Sequence, residues 1–314
     1  MTMPIKTLTA AALALGLSLP ALAAPDDFGP LLTPQELSNL QGESAPLILD
    51  IRWMKEYGAG HITNAVNAPY PLFRGPADNP GQVPDEDRLT EVLRALGVTK
   101  EQPVVVVHQG SDETDFGAAA RVYWTLKSSG VSHLAILNGG VEGWKAAGLN
   151  LDKQPVLPEP SNITVQLSDQ WLADAEDVQA VVDGRDHALL LDARPESSWK
   201  GEDMHPAAAR PGTLPQSKYL THTDWFSNGP IIADADAAHK LALAEGLDDA
   251  QEVVSFCNTG HWAATNWFAL SELAGIENVK LYPESMVGWS QAGGEMENVP
   301  GPIRNLWNQV KSIF

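Results

Sequence analysis

Two copies of one sequence unit follow each other in this chain of 314 residues, and the duplication limits what the chain can fold into. In each copy an apolar run ends in Asp-x-Arg, first at Asp50 and again 142 residues later at Asp192. The matching segments, in chain order, are 46–69 with 188–215, 103–110 with 252–260, and 119–144 with 263–289. This period is too long for a solenoid, so each unit is predicted to be a whole domain.

Each unit has the pattern of an α/β domain. Short apolar runs such as "LILD", "VVVV" and "LLLD" are bounded by turn residues, as expected for strands buried on both faces. Helix-like segments such as "EDRLTEVLRALG" and "AATNWFALSELAG" separate these runs and end in glycine. The alternation predicts an α/β protein of two tandem domains, each a mostly parallel sheet with helices on both faces.

The N-terminus has the pattern of an export signal. Lys6 precedes an apolar run, and small residues at Ala21 and Ala23 form an A-x-A cleavage site. We expect an exported, periplasmic protein; a retained membrane anchor is the alternative. The predicted segments are a signal peptide over 1–23, a first domain over 24–152, a proline-rich linker over 153–162, a catalytic domain over 163–300 and a helical tail over 301–314.

Composition narrows the possible partners and chemistry. The formal net charge of −20 repels phosphate backbones and anionic lipids, so neither nucleic acid nor a membrane is expected as a partner. Cys257 is the only cysteine, which leaves no internal disulfide and no second thiol for a zinc site, and no metal is expected. The roles open to Cys257 are an inert buried thiol, a disulfide between two chains, or a reactive nucleophile.

The position of Cys257 favours the nucleophile. The run "VVSF" predicts a central parallel strand and the segment from Ala263 a helix, so Cys257 lies at a strand's carboxyl end, where ligands collect. Residues 258–262 must turn sharply into the helix, and Gly260 gives the backbone that freedom. Their amides and the helix N-terminus then form a cradle that stabilises a thiolate or a persulfide. We expect an exposed, reactive thiol in this loop.

Several segments resemble the rhodanese-like sulfurtransferases. They are the Asp-x-Arg strand end, "GHITNAVNAP", "NGGVEGW" and, most specific in the second unit, "FCNTGHWAA". The resemblance covers both units and implies that the second domain is catalytic, while the first domain, which has no cysteine, is catalytically silent. It implies that Cys257 takes sulfane sulfur from a donor such as thiosulfate and passes it to cyanide or a thiol, without a cofactor.

The same resemblance assigns roles to the loop. The residues expected to bind substrate through amides or side chains are Asn258, Thr259, Gly260, His261 and Trp262. The loop contains no Arg or Lys, unlike well-known thiosulfate enzymes, so 3-mercaptopyruvate stays open as the donor. His261 is interpreted either as a cation or as a packing residue, Trp262 mainly as a packing residue, and Lys200 as a possible substitute cation.

Two further predictions compare the units. Asp192 and Arg194 are expected to support the loop by bonding its amides and each other, as Asp50 and Arg52 do in the first unit. The first-unit segment "HQGSDETDFGAAA" predicts a longer loop, with acids where an anion would need donors.

Two other functions were weighed for this fold. Cys-based phosphatases close their loop with an arginine six residues after the cysteine, where this chain has Ala263, which argues against that class. A periplasmic sulfur carrier that holds a persulfide for a partner stays open, because a fold does not fix a function. The expected partners are therefore a small-molecule sulfur donor and a cyanide, thiol or protein acceptor.

Overall fold

The computed structural model describes residues 28–40 and 45–301. The predicted signal peptide lies outside the described residues, as does the predicted tail after residue 301. The strands of the first domain are β1 (Leu31–Leu32), β2 (Leu47–Asp50), β3 (Val66–Asn67), β4 (Val104–Val107) and β5 (Leu134–Leu137). Its helices are α1 (Pro34–Asn39), α2 (Met54–Ala59), α3 (Glu86–Ala95), α4 (Glu113–Ser128) and α5 (Gly140–Ala146).

The first sheet is parallel and covered on both faces. Its strand order is β1-β5-β4-β2-β3, and every neighbouring pair is parallel. Side chains alternate between two hydrophobic cores: Val104 and Val106 of β4 enter one core, while Val105 and Val107 enter the other. Because both faces are buried, the strand is a continuous apolar run without polar alternation.

The second domain repeats this plan. Its strands are β6 (Leu189–Asp192), β7 (Lys218–Tyr219), β8 (Phe226–Asn228), β9 (Ile231–Ile232), β10 (Val253–Phe256) and β11 (Val279–Leu281). Its helices are α6 (Ala175–Val182), α7 (Glu196–Trp199), α8 (Ala235–Ala244), α9 (Trp262–Phe268) and α10 (Ser285–Gln291). The main sheet has the parallel order β11-β10-β6-β7, and β8 and β9 form a small antiparallel ladder. The prediction of two parallel α/β domains is confirmed.

The duplication extends to individual hydrogen bonds. In the first domain the Arg52 Nη2 atom lies 2.6 Å from Asp50 Oδ2, and the Arg194–Asp192 pair repeats that distance in the second. Both aspartates also accept the main-chain amide of their arginine, at 3.1 and 3.0 Å. A buried, paired and hydrogen-bonded ion pair of this kind fixes the end of the strand and the loop beside it.

A shared apolar core joins the two domains. Helix α4 of the first domain packs against α9 of the second. Phe116 and Tyr123 of α4 contact Phe268 of α9, with ring centroids 5.7 and 5.0 Å apart in edge-to-face geometry. All three rings belong to one hydrophobic cluster that contains residues of both sheets. An interface built from aromatic core residues holds the relative position of the domains.

The connecting segment has neither helix nor strand over residues 153–168. Part of it lies along α3, where Arg94 donates to the carbonyl of Ile163 at 2.7 Å and the Val165 amide donates to Thr90 Oγ1 at 3.0 Å. In the part of the chain that the structure describes, no helix has the length and hydropathy to cross a bilayer.

Candidate active site

Cys257 follows β10, which lies between β6 and β11 at the centre of the second sheet. It begins the Cys257 loop, residues 257–261, and α9 starts at the next residue. This is the strand-end position that the sequence predicted. The expected exposure is wrong, however: only 1% of Cys257 is accessible, because it packs within the hydrophobic cluster that both domains share.

The Cys257 loop is oriented by its carbonyl groups. The carbonyl of Cys257 accepts the Met286 amide at 3.0 Å, and that of Asn258 accepts the Val287 amide at 3.0 Å. In a trans peptide the following N–H points to the opposite side, so these bonds turn the amides of Asn258 and Thr259 away from α10. Neither amide has an acceptor among residues 28–40 and 45–301. Neighbouring amides without an acceptor are suited to hold a negative charge.

Ser285, the first residue of the same helix, also holds the loop. Its Oγ accepts the amides of Cys257 at 3.0 Å and of Gly260 at 3.2 Å, and it donates to the carbonyl of Tyr282 at 2.8 Å. The amide of Gly260 is therefore engaged, which corrects the expectation that every amide from Asn258 to Trp262 faces the sulfur. Gly260 itself has φ of +64°, the left-handed conformation that the turn needs.

Two arginines of the first domain hold the remaining carbonyls of the loop. Arg74 Nη1 donates to the Thr259 carbonyl at 2.9 Å. Arg121 Nη1 lies 3.4 Å from the same oxygen and 3.3 Å from the Gly260 carbonyl, and its Nη2 donates to the Gly81 carbonyl at 2.8 Å. The cations that are absent from the loop sequence are thus supplied by the other domain.

Burial shapes the ionisation of these groups. Desolvation, followed by the charge of Arg74, lowers the pKa of Arg121 to about 9, so the guanidinium is protonated at neutral pH. Desolvation also raises the pKa of Tyr70, whose hydroxyl lies 3.0 Å from Arg74 Nη1, so this phenol stays neutral. The local field at the loop is therefore positive, although the whole chain is acidic.

His261 is neutral. Its Nε2 lies 2.7 Å from the Thr114 carbonyl, which can only accept, so Nε2 carries the proton and Nδ1 accepts from the Tyr70 hydroxyl at 2.9 Å. Desolvation and then the charge of Arg74 lower the pKa of His261 to about 3. The interpretation of His261 as a cation is wrong, and the packing interpretation agrees with these contacts.

Trp262 also belongs to the domain interface. Its indole stacks on His222 with ring centroids 4.7 Å apart, and Nε1 lies 3.2 Å from Thr114 Oγ1. Lys200, in contrast, is 48% exposed and pairs with Glu196 at 2.8 Å on the surface, so it does not replace a cation of the loop.

Asp192 and Arg194 reach the loop through one contact. Arg194 Nη1 lies 3.4 Å from Asn258 Oδ1, while Asp192 accepts the Thr213 hydroxyl at 2.7 Å. The two side chains are buried and bonded to each other as expected, but neither bonds an amide of the Cys257 loop among the described residues. Asn258 and Thr259 are 9% and 7% exposed, so these two loop residues are also nearly buried.

The equivalent loop of the first domain contains its own anion. It spans residues 108–112, the same length as the Cys257 loop, because α4 begins at Glu113; the prediction of a longer loop is wrong. One oxygen of Asp115 accepts the amides of Gly110 and Ser111 and lies 2.8 Å from His108 Nδ1. Burial acts to raise the pKa of Asp115, but the bonds and charge from His108 and the two amides lower it. A carboxylate of the chain itself thus occupies the amides that a persulfide in this loop would need as hydrogen-bond donors.

Sequence reasoning missed the residues that approach from outside the loop, namely Tyr70, Arg74, Thr114, Arg121 and Ser285. The sequence does mark Arg121, because it is the one charged residue in the apolar run "AAARVYWTL". Arginine is rarely buried in a core helix unless it is paired, so its presence there indicates a role. In the described residues no group of three or more His, Cys, Asp or Glu side chains is placed to hold a metal ion.

Comparison with known proteins agrees with this geometry. The model of the rhodanese-like domain family matches residues 33–147 and 174–292. A Pseudomonas aeruginosa protein named "Probable 3-mercaptopyruvate sulfurtransferase" is 32% identical over 280 residues, covering 82% of this chain and 94% of that protein. A Mycobacterium tuberculosis protein named "Putative thiosulfate sulfurtransferase SseB" is 27% identical over 274 residues, covering 83% and 93%.

A solved structure shares the fold. The crystal structure of SseA from Escherichia coli, described as that of a 3-mercaptopyruvate sulfotransferase with the rhodanese fold, aligns with a TM-score of 0.70 at 22% identity. The alignment covers 81% of this chain and 98% of that chain, so both domains are included.

Proposed function

The chain belongs to the rhodanese-like domain family, and on that premise we propose that it is a sulfurtransferase that carries sulfane sulfur as a persulfide on Cys257. The observation that carries the proposal is the Cys257 loop, which follows a central strand, has two amides without an acceptor among the described residues and receives hydrogen bonds from two arginines. We take thiosulfate as the donor and cyanide or a thiol as the acceptor. The donor 3-mercaptopyruvate is the alternative.

The proposed reaction has two half-steps. The Cys257 thiolate attacks the outer sulfur of thiosulfate, a sulfur–sulfur bond forms to Cys257, and sulfite leaves with the electron pair of the broken bond. Cyanide then attacks the terminal sulfur of the persulfide, thiocyanate leaves, and the thiolate is regenerated. No proton or electron is gained or lost over the cycle, which is ping-pong covalent catalysis.

The chain's own task in this scheme is to hold one negative charge. The amides of Asn258 and Thr259 would donate to the sulfur anion, and Ser285 keeps the loop in the conformation that aims them. Because the donors are fixed before the reaction, little reorganisation is needed when charge moves from Cys257 to the outer sulfur.

The proposal is tested by sulfur transfer from each donor to cyanide. The parent protein is expected to form thiocyanate from thiosulfate, and Cys257→Ser is expected to abolish turnover with both donors. Faster turnover with 3-mercaptopyruvate would identify that compound as the donor and leave the proposed sulfur transfer through Cys257 unchanged. Equal thiocyanate formation by Cys257→Ser and the parent would contradict the proposal.

The burial of Cys257 favours a second candidate function. With 1% of the residue accessible, a persulfide here would be protected from oxidants, as a carrier that stores a persulfide requires. A carrier would show a stable persulfide and negligible thiocyanate formation. Rapid thiocyanate formation would exclude it.

We also propose that the protein is exported to the periplasm. The support is the sequence of residues 1–23, with one cation, an apolar run and an A-x-A site. Cell fractionation, with the N-terminus of the recovered protein read by mass spectrometry, tests this. A protein that retains Met1 and stays in the cytoplasm would contradict export.

A further inference from the structure

Two guanidinium groups of the first domain lie beside the Cys257 loop without an acidic partner. Arg74 is half-buried and Arg121 is completely buried. Among residues 28–40 and 45–301, neither has a carboxylate within ion-pair distance, whereas the buried Arg52 and Arg194 each have an aspartate. The Nε atom of Arg121 has no hydrogen-bond partner in the same part of the chain.

This arrangement is costly for the fold. A buried charge without a counter-ion costs several kcal/mol, on the order of the penalty for breaking a buried ion pair. The two cations also repel each other, because Arg74 is one of the charges that lower the pKa of Arg121. Carbonyl groups of Gly81, Thr259 and Gly260 satisfy hydrogen bonds but do not neutralise the charge.

The neighbourhood leaves one candidate for the missing anion. The groups whose negative charge would act on Arg121 are Tyr70 and Cys257. Tyr70 is neutral at neutral pH because its pKa is raised. His261, the remaining titratable side chain in contact with Tyr70, is neutral as well. The sulfur of Cys257 is therefore the group that can carry the balancing charge.

We propose that Arg74 and Arg121 are the counter-ions of the Cys257 thiolate and persulfide, so that the domain without a cysteine sets the charge state of the sulfur in the other domain. The inference deepens the proposed function and rests on it. It explains how a Cys257 loop without Arg or Lys can hold an anion in an acidic protein. It also gives the first domain a task beyond packing.

The test is a titration of the thiolate by its far-ultraviolet absorbance. Cys257 is the only cysteine, so the difference between the parent and Cys257→Ser isolates its signal. Arg74→Gln and Arg121→Met are each expected to move the midpoint to higher pH by about one unit, since a nearby opposite charge has an effect of that size. Arg121→Met removes an unpaired buried charge in favour of an apolar chain of similar length, so it is expected to fold.

Arg94→Gln is the matched control. Arg94 also belongs to the first domain and donates to a main-chain carbonyl, that of Ile163, but it does not contact the Cys257 loop. Its variant is expected to titrate like the parent. Arg74→Lys, which keeps the charge, is expected to have a midpoint close to that of the parent. Unchanged midpoints in Arg74→Gln and Arg121→Met, or an equal shift in Arg94→Gln, would overturn the inference.

The titration needs no sulfur donor, so it separates this inference from the proposed function. Uptake of sulfur by the parent without a shift in the arginine variants would remove the counter-ion role and leave sulfur transfer intact. If the arginine variants shift the midpoint but the parent takes up no sulfur, the proposed function is refuted, and with it the persulfide part of the inference.

Discussion

At the scale of residues, each domain closes its loop with a different oxygen. In the second domain Ser285 Oγ accepts two loop amides, and the position matching it in the first repeat is Gly140. Ser285 has φ of +51° and Gly140 has +56°, so the backbone is the same and only the side chain differs. A serine in this left-handed conformation is strained, which indicates that its hydroxyl is needed there.

Ser285→Gly is predicted to weaken both stability and sulfur transfer. Glycine relieves about 1 kcal/mol of left-handed strain, but two buried amides lose their acceptor at about 1–3 kcal/mol each. We expect a net loss of unfolding free energy of about 1–5 kcal/mol and a lower kcat/KM, measured by urea unfolding and thiocyanate assay. A variant as stable and as active as the parent would show that Ser285 does not position the loop.

His261 predicts a pH dependence of stability. Its pKa is about 3 in the folded protein and near 6.5 when unperturbed, so between these values the unfolded chain binds one proton more than the folded chain. The contribution is fully present above pH 6.5 and is lost as the pH falls towards 3. Urea unfolding across this range should show a shallower decline for His261→Gln than for the parent, and parallel declines would refute the prediction.

The sequence predicted the candidate nucleophile but only some of the residues that surround it. Cys257 and Gly260 could be found because one strand, one turn and one helix determine their positions locally. Arg74, Arg121 and Ser285 are distant in sequence, and packing of the domains brings them to the loop. The protonation of His261 also follows from tertiary burial, which its loop sequence does not encode.

At the scale of elements, the two loops that follow β4 and β10 have the same length, but only the first is filled by a carboxylate. The His108 loop, residues 108–112, is closed by Asp115 from the first turn of α4. The residue matching Asp115 at the same distance from the strand is Ala264 in α9, which leaves the interior of the Cys257 loop without a carboxylate. One side chain thus distinguishes the loop that is filled by its own carboxylate from the loop in which we propose a persulfide.

Asp115→Ala is predicted to destabilise the protein without reducing sulfur transfer per folded molecule. The change leaves the amides of Gly110 and Ser111 and the ring of His108 without their acceptor, at a cost of about 2–4 kcal/mol in all. Urea unfolding and the thiocyanate assay measure the two effects. Unchanged stability would mean that the carboxylate does not hold the loop, and a proportionate loss of kcat would mean that it serves the Cys257 site.

The elements themselves were largely predictable. The run Val104–Val107 has no polar position, and Val253–Phe256 has only Ser255, because both faces of a central parallel strand are buried. The start of α4 was not predictable, because the polar residues of "SDETD" resemble a loop. Asp112 in fact caps the helix by accepting the Asp115 amide at 2.8 Å. Capping residues and loop residues are of the same types, so a pattern of apolar residues alone cannot separate them.

At the scale of the whole molecule, the two domains behave as one structural unit because their apolar cores are continuous. The interface helices α4 and α9 carry both packing residues and parts of the site: Arg121 lies on α4, and α9 begins at the end of the Cys257 loop. Any change that separates the domains therefore removes the arginine side chains of the first domain, and their positive charge, from the Cys257 loop. Repeat matching predicted the two domains, but it gave no information on which faces meet.

Phe268→Ala is predicted to lower the stability of both domains together. Phe268 is fully buried between Phe116 and Tyr123, and truncating such a ring costs about 3–5 kcal/mol. Thermal unfolding followed by circular dichroism and by tryptophan fluorescence should give one coincident transition, shifted to lower temperature. Two separate transitions in the parent would show that the domains unfold independently.

The persulfide on Cys257 is tested most directly by the intact mass of the protein after incubation with thiosulfate or 3-mercaptopyruvate. We expect a gain of one sulfur atom with at least one donor, its loss on addition of cyanide, and no gain in Cys257→Ser. A parent protein whose mass does not change with either donor, or a Cys257→Ser variant that gains the same mass, would refute the persulfide.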